Sequence, residues 1–193
     1  MDLFYRWLFP AIWLVFLVYW QVIWQMTAAG KASVRIEPAF SRITRAVAFL
    51  AAIALLMAPN LPARWLYLAI LPGGLVCFYL GAAITVIGLG FAVWARVHLG
   101  RNWSRSVQVK EDHELITSGP YRLVRHPIYT GILAGFVGSV VAEAQLRGVV
   151  ALLLVFGALW AKLRLEEAWM RGEFGEKYTV YARRVRALVP GIL

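Results

Sequence analysis

The chain has 193 residues, 61% of them hydrophobic and 16% charged, with a net charge of +10 and a mean hydropathy of +0.67. A soluble domain of this length has too little interior to hide that much apolar surface, and disorder needs the opposite composition, so both are excluded and an integral membrane protein remains. One cysteine, Cys77, excludes an intrachain disulfide and a cysteine-based metal cluster.

Five apolar runs read as membrane helices, over residues 3–24, 46–58, 73–97, 128–142 and 148–163. A helix that crosses a bilayer needs roughly 20 apolar residues. The first and third runs meet this. The second and fourth are short, and serve only as partners in a packed bundle or with helical extensions through the interface. The first run is too long for a signal-peptide core, and Arg6 is offset by Asp2. Pro59, Asn60 and Pro62 mark a turn after the second run, and Pro72, Gly73 and Gly74 break the chain before the third. Residues 143–147 form a short turn that folds the fourth and fifth runs into an antiparallel hairpin. The expected fold is an all-α integral membrane protein with about five transmembrane helices. It is read as one embedded domain over residues 1–193: three N-terminal spans over 1–97 and a catalytic half over 98–193.

The basic residues lie between these runs, as in the cytoplasmic loops of a membrane protein, which argues against nucleic acid as the partner. Segments 31–45, 96–125 and 162–186 hold 17 of the 20 Lys and Arg residues; Arg6, Arg64 and Arg147 are the others. With five spans the three basic segments share one side. The positive-inside rule then places the N-terminus outside and the C-terminus in the cytoplasm. The stretch 98–126 is too long for a plain connector. The hairpin holds it near the polar tail 164–186, so a site is expected between the two at the cytoplasmic mouth.

The densest motif is Gly119-Pro120-Tyr121-Arg122-Leu123-Val124-Arg125-His126-Pro127-Ile128-Tyr129. Pro127 suits the first position of a helix, which sets His126 at or near its N-cap. The free amides of that helix end favour an anionic group. Alternatively, His126 is a capping or interfacial histidine without a ligand. Gly131 and Gly135 permit close approach of a neighbouring helix or a ligand, with helix packing the simpler account. A second constellation, Lys162, Arg164, Glu166 and Glu167, lies at the inner end of the fifth run. Lys162 and Glu166 are four apart, so a helix-surface ion pair is the plain reading. The functional reading is that a Glu faces the bundle and binds a cationic or amine-bearing ligand.

Three blocks occur in order: His98-Leu99-Gly100-Arg101-Asn102-Trp103-Ser104; His113 through Tyr121 running into Arg125-His126-Pro127-Ile128-Tyr129; and Glu166-Glu167 followed by Phe174-Gly175-Glu176-Lys177-Tyr178 and Tyr181. Together they resemble the isoprenylcysteine carboxyl methyltransferase family, whose wider group includes phospholipid N-methyltransferases. The resemblance covers the half of the chain from His98 onward. It implies S-adenosylmethionine as cofactor, bound at a cytoplasmic site formed by the 98–126 loop and the C-terminal helix. The cofactor positions it implies are Gln108, the strip His113, Glu114, Leu115 and Ile116, then Tyr121, His126, Pro127, Ile128, Tyr129 and Glu166, with Glu167 as the alternative carboxylate. It also implies a lipophilic methyl acceptor entering from the bilayer, with a prenylcysteine-like carboxylate favoured and a phospholipid, small thiol or amine as alternatives. The family carries an Arg one turn before the Glu pair to hold the acceptor carboxylate; this chain has Lys162 there, with Arg164 close by. Lys keeps the charge but not the planar fork. The competing classes are an NADPH-dependent sterol-type membrane reductase and a non-enzymatic membrane protein. No metal is expected, since His98, His113 and His126 lack ligand partners at suitable spacing.

Overall fold

The computed structural model describes residues 3–27, 33–57, 61–100, 108–110 and 115–192. Its long helices are α1 (Leu3–Thr27), α2 (Ala39–Met57), α3 (Gly74–Leu99), α4 (Pro127–Glu143) and α5 (Leu146–Phe174), and a shorter α6 (Glu176–Arg184) follows. Segments of α1, α2, α3 and α5 are long and apolar enough to cross a membrane; α4 is apolar but shorter. Each of the five expected runs is therefore a helix.

The two short runs are completed in the two anticipated ways. Helix α2 begins at Ala39 rather than residue 46, so Arg42 and Arg45 lie in its first turns and not in a loop. Helix α4 has 17 residues, roughly 25 Å at about 1.5 Å per residue, less than the roughly 30 Å of a hydrocarbon core. It is sheltered between α3 and α5. The turn before α5 is shorter than expected, only Ala144 and Gln145, with Ala144 in a left-handed conformation. At the other end α5 runs to Phe174, so Arg164, Glu166, Glu167 and Arg171 are helical and not part of a tail. Its 29 residues span roughly 43 Å, about 13 Å more than the roughly 30 Å of the hydrocarbon core. That excess carries the charged stretch.

Helices α3 and α4 form the closest pair. Their contact is built from glycines: a Cβ on Gly131 would lie 2.6 Å from the Ala92 amide, and one on Gly138 would lie 2.6 Å from the Thr85 amide. Any side chain there pushes the helices apart, so Gly131 is a packing residue. Thr85 Oγ1 lies between Gly81 O at 2.9 Å and Gly135 O at 3.1 Å, which satisfies its buried hydroxyl across the pair. Helix α1 joins from the side, where Trp13 Nε1 donates to Ser139 Oγ at 3.1 Å and Phe16 packs with Leu89 and Ala92. Helix α2 lies along α5. Both α1 and α2 leave large apolar side chains exposed, among them Leu14, Val15, Val47 and Leu50, as expected of helices bathed in lipid.

One feature has no counterpart in the expected all-helical fold. Strand β1 (Ser33–Ile36) pairs antiparallel with β2 (Gln108–Lys110), joining Arg35 to Val109 and Ile36 to Gln108. Neither strand has the length to declare itself in sequence; each exists as the partner of the other.

Candidate active site

The site is assembled where the N-terminus of α4 meets the last third of α5. The chain reaches α4 through a 3-10 turn, Gly119–Arg122, which places Pro120 and Tyr121 in the core. Gly119 holds φ +57, and the His98 ring lies where its Cβ would be, so only glycine fits this corner. His98 also bonds Ser118 Oγ at 2.9 Å and stacks on Tyr121, fixing the turn to the end of α3.

The segment after α6 returns beneath this turn and laces it down. The amides of Arg125 and His126 donate to Arg186 O at 2.8 Å and Ala187 O at 3.0 Å, and Thr130 Oγ1 donates to Leu188 O at 2.8 Å. Tyr181 Oη donates to Tyr121 O at 2.5 Å. His126 is thereby set as the N-cap of α4, with Pro127 in the first turn and no side-chain cap bond. Pro127 has no N–H, and the next amides, of Ile128 and Tyr129, have no acceptor within the helix. The imidazole is free to turn toward α5.

There it meets both carboxylates. His126 Nδ1 is 3.6 Å from Glu166 Oε2 and Nε2 is 3.4 Å from Glu167 Oε1. These are ion-pair separations; Nε2 is buried and has no hydrogen-bond partner. Burial disfavours the charged imidazole, but the Glu166 and Glu167 carboxylates outweigh it and hold the His126 pKa above its ordinary value.

The two glutamates have different company. Glu167 is the more buried and is fully engaged: Arg125 Nε donates to Oε1 at 2.8 Å and Arg171 Nη2 to Oε2 at 2.9 Å. The same Arg125 guanidinium donates to Ala182 O at 3.1 Å and to Val185 O. Glu167 is thus the hub that ties α5, the α4 entry and the end of α6 together. Glu166 is more open and faces side chains of the bundle. Tyr129 Oη donates to its Oε2 at 2.6 Å, and Lys162 Nζ lies 3.5 Å from its Oε1. Lys162 also sits over the Tyr129 ring, 5.3 Å from its centroid, and that ring stacks on His126 with 5.3 Å between centroids and planes 8° apart. Tyr121 is within electrostatic reach of Glu166.

The expected residues therefore divide. Tyr121, His126, Pro127, Ile128, Tyr129, Lys162, Glu166 and Glu167 come together. Arg164 is exposed, about half a turn around α5 from the face of Lys162 and Glu166. Leu115 and Ile116 are half-buried, with Ile116 packed against the core. Gln108 lies in β2, a strand that contacts α5. His113 and Glu114 lie outside the described residues. Among the described residues no group of His, Cys, Asp and Glu is arranged to hold a metal ion. The sequence reading missed one residue and one pair. Arg171 had a legible signal, its spacing of four from Glu167. The second, a Glu37–Arg45 pair at the start of α2, had none, because Glu37 precedes the helix.

The family model described as phospholipid methyltransferase matches residues 76–177. A probable protein-S-isoprenylcysteine O-methyltransferase of Oryza sativa subsp. indica is 35% identical over 117 residues, which cover 59% of this chain and 61% of that protein. The cobalt-zinc-cadmium resistance protein CzcN of Cupriavidus metallidurans is 32% identical over 107 residues, covering 54% of this chain and 49% of that one. The solved structure of a eukaryotic intramembrane Ras methyltransferase, isoprenylcysteine carboxyl methyltransferase, superposes with a TM-score of 0.56 at 24% identity, over 79% of this chain and 52% of that one. The matches thus span about half to three fifths of these relatives.

Proposed function

Because the chain belongs to the phospholipid methyltransferase family, whose model covers residues 76–177, we propose that it is an integral membrane methyltransferase that uses S-adenosylmethionine. Its acceptor is a lipophilic molecule, with the carboxylate of a prenylcysteine-like substrate favoured. The observation that carries this reading is the cluster of His126, Tyr129, Lys162 and Glu166 at the shared end of α4 and α5, where a buried imidazole nitrogen is left without a hydrogen bond. An orphaned polar atom beside an open helix end and a carboxylate suits a zwitterionic amino-acid moiety.

When bound, S-adenosylmethionine supplies a methyl group already activated by its sulfonium. In this reading the amides of Ile128 and Tyr129, with the positive charge of the His126 ring beside them, would hold its carboxylate, and Glu166 would take its ammonium or a ribose hydroxyl. Glu167 is spent on Arg125 and Arg171, which favours Glu166 as the ligand. The aromatic faces of Tyr121 and Tyr129 suit an adenine ring or a sulfonium cation. Gln108 and the strip His113 to Ile116 are assigned to the adenine end on the family's pattern. Lys162 orients the acceptor, one turn deeper along α5 than Glu166; Arg164 is the weaker candidate because it faces away. A carboxylate acceptor needs no general base, so the chain's contribution is alignment and exclusion of water. The concentration of basic residues in the segments at this end of the bundle supports a cytoplasmic site, with the acceptor entering sideways between helices.

Calorimetry in detergent with S-adenosylhomocysteine and with NADPH tests the assignment. Binding of the first alone is expected. Binding of NADPH alone makes the protein a reductase, and binding of neither makes it a non-enzymatic membrane protein.

A further inference from the structure

At the start of α2 a second ion pair lies buried near the cluster, and the assignment above leaves it unused. Glu37 is 2% exposed. Arg45 reaches back along the helix and donates from Nη1 to Oε1 at 2.6 Å and from Nη2 to Oε2 at 2.8 Å. Ser41 Oγ adds a bond to Oε1 at 2.5 Å. Two parallel bonds from one planar fork are the strongest way a side chain grips a carboxylate. Helix α2 lies along α5, and the Arg45 guanidinium is within electrostatic reach of both Tyr129 and Glu166. A buried ion pair is costly to keep, because the desolvation of both charges must be offset by their mutual attraction.

The neighbouring cations are less suited to a carboxylate acceptor. Arg125 and Arg171 are held by Glu167. Lys162 sits between Glu166 and the Tyr129 ring and offers only a point charge. Arg164 is exposed. Arg45 is a guanidinium that uses two of its five N–H donors on Glu37, whereas Arg125 engages all three of its nitrogens.

We propose that Arg45 is a binding residue for the acceptor: the acceptor's carboxylate takes guanidinium N–H donors that Glu37, bound through one N–H of each Nη, leaves unused, with Lys162 as the accompanying point charge. This rests on the carboxylate-acceptor reading given above, and it moves the fork that α5 lacks at Lys162 onto α2.

The test is the binding of S-farnesyl-N-acetylcysteine and of its carboxamide, measured by calorimetry on the detergent-solubilised protein with S-adenosylhomocysteine present. Arg45→Gln alone strands a buried carboxylate, so the double variant Glu37→Gln/Arg45→Gln is the informative one. Wild type should prefer the carboxylate by about tenfold or more, and the double variant should bind the two within about twofold. S-adenosylhomocysteine affinity should be unchanged in it, and Glu37→Gln alone should keep or raise the preference. A double variant that keeps the wild-type preference overturns the proposal. So does one that loses S-adenosylhomocysteine binding, since the pair is then architectural. Wild type that binds both compounds alike overturns the carboxylate acceptor as well, while binding of S-adenosylhomocysteine still tests the methyltransferase reading separately.

Discussion

Glu166 and Glu167 are adjacent in sequence, yet the hydrogen bonds around them assign different work, and substitution separates the two. Glu167→Gln removes the charge that Arg125 and Arg171 share, and breaking a buried pair of this kind costs about 3 to 5 kcal/mol. The expected outcome is a large drop in thermal midpoint. Glu166→Gln should lower that midpoint less, because Glu166 is the more open of the two and no guanidinium depends on it, and should weaken S-adenosylhomocysteine binding about ten- to a hundredfold, the worth of a hydrogen bond to a charged group. Equal loss of stability in both variants contradicts the division. His126 carries the pH dependence. Its folded pKa is raised by the two carboxylates, so its contribution is complete below the ordinary histidine pKa of about 6.5 and disappears as pH rises through the raised value. Thermal midpoints of wild type in detergent should therefore fall across that interval, and His126→Gln should flatten the fall. The histidine and both glutamates were legible in sequence as a motif. Their division of labour was not, because Arg125 and Arg171 reach Glu167 from opposite sides and only folding brings Arg125 there.

Element by element, the apolar runs were legible and the ends of the helices were not. Hydropathy reports where lipid lies, and it is blind to a helix that continues into water. Thus α2 starts seven residues before its apolar run, and α5 extends past residue 163 through Arg171 to Phe174. The extension of α5 puts Glu166 and Glu167 on the same helix as Lys162 and brings them to the start of α4. The extension of α2 makes Arg45 helical, about one turn and a half from Ala39. The β1–β2 ribbon was illegible for another reason: a run of three or four residues has no periodicity of its own. The α3–α4 contact is testable at this scale. Gly138→Ala places a methyl against the Thr85 backbone, and overpacking of this kind costs about 1 to 3 kcal/mol. Gly157→Ala meets nothing within 4 Å and should be neutral or slightly stabilising, since alanine is the better helix former. Denaturation of both variants in the same detergent decides it. A Gly138→Ala protein as stable as wild type contradicts the close approach.

For the molecule as a whole, the two halves read from sequence are interleaved, with α3 against α4 and α2 against α5. The site therefore depends on all of them, and residues 31–45 bear on it as well as the stretch from 98 onward. The distribution of 17 of 20 basic residues over three segments predicts that all three face the cytoplasm. After replacement of Cys77, a cysteine introduced at Arg183 should resist membrane-impermeant maleimide in intact cells and react after lysis; labelling in intact cells inverts the topology. The central claim is transfer of a methyl group to a lipid-borne carboxylate, and the measurement closest to it uses S-adenosylmethionine tritiated in the methyl group. The purified protein is incubated with that donor and S-farnesyl-N-acetylcysteine, and the labelled lipid is treated with base. A methyl ester releases its label as volatile methanol, whereas a methylated amine or sulfur retains it. The account predicts label that is transferred, released by base and lost in Glu166→Gln. Label that survives base, or protein that binds S-adenosylhomocysteine yet transfers nothing to this acceptor, contradicts it.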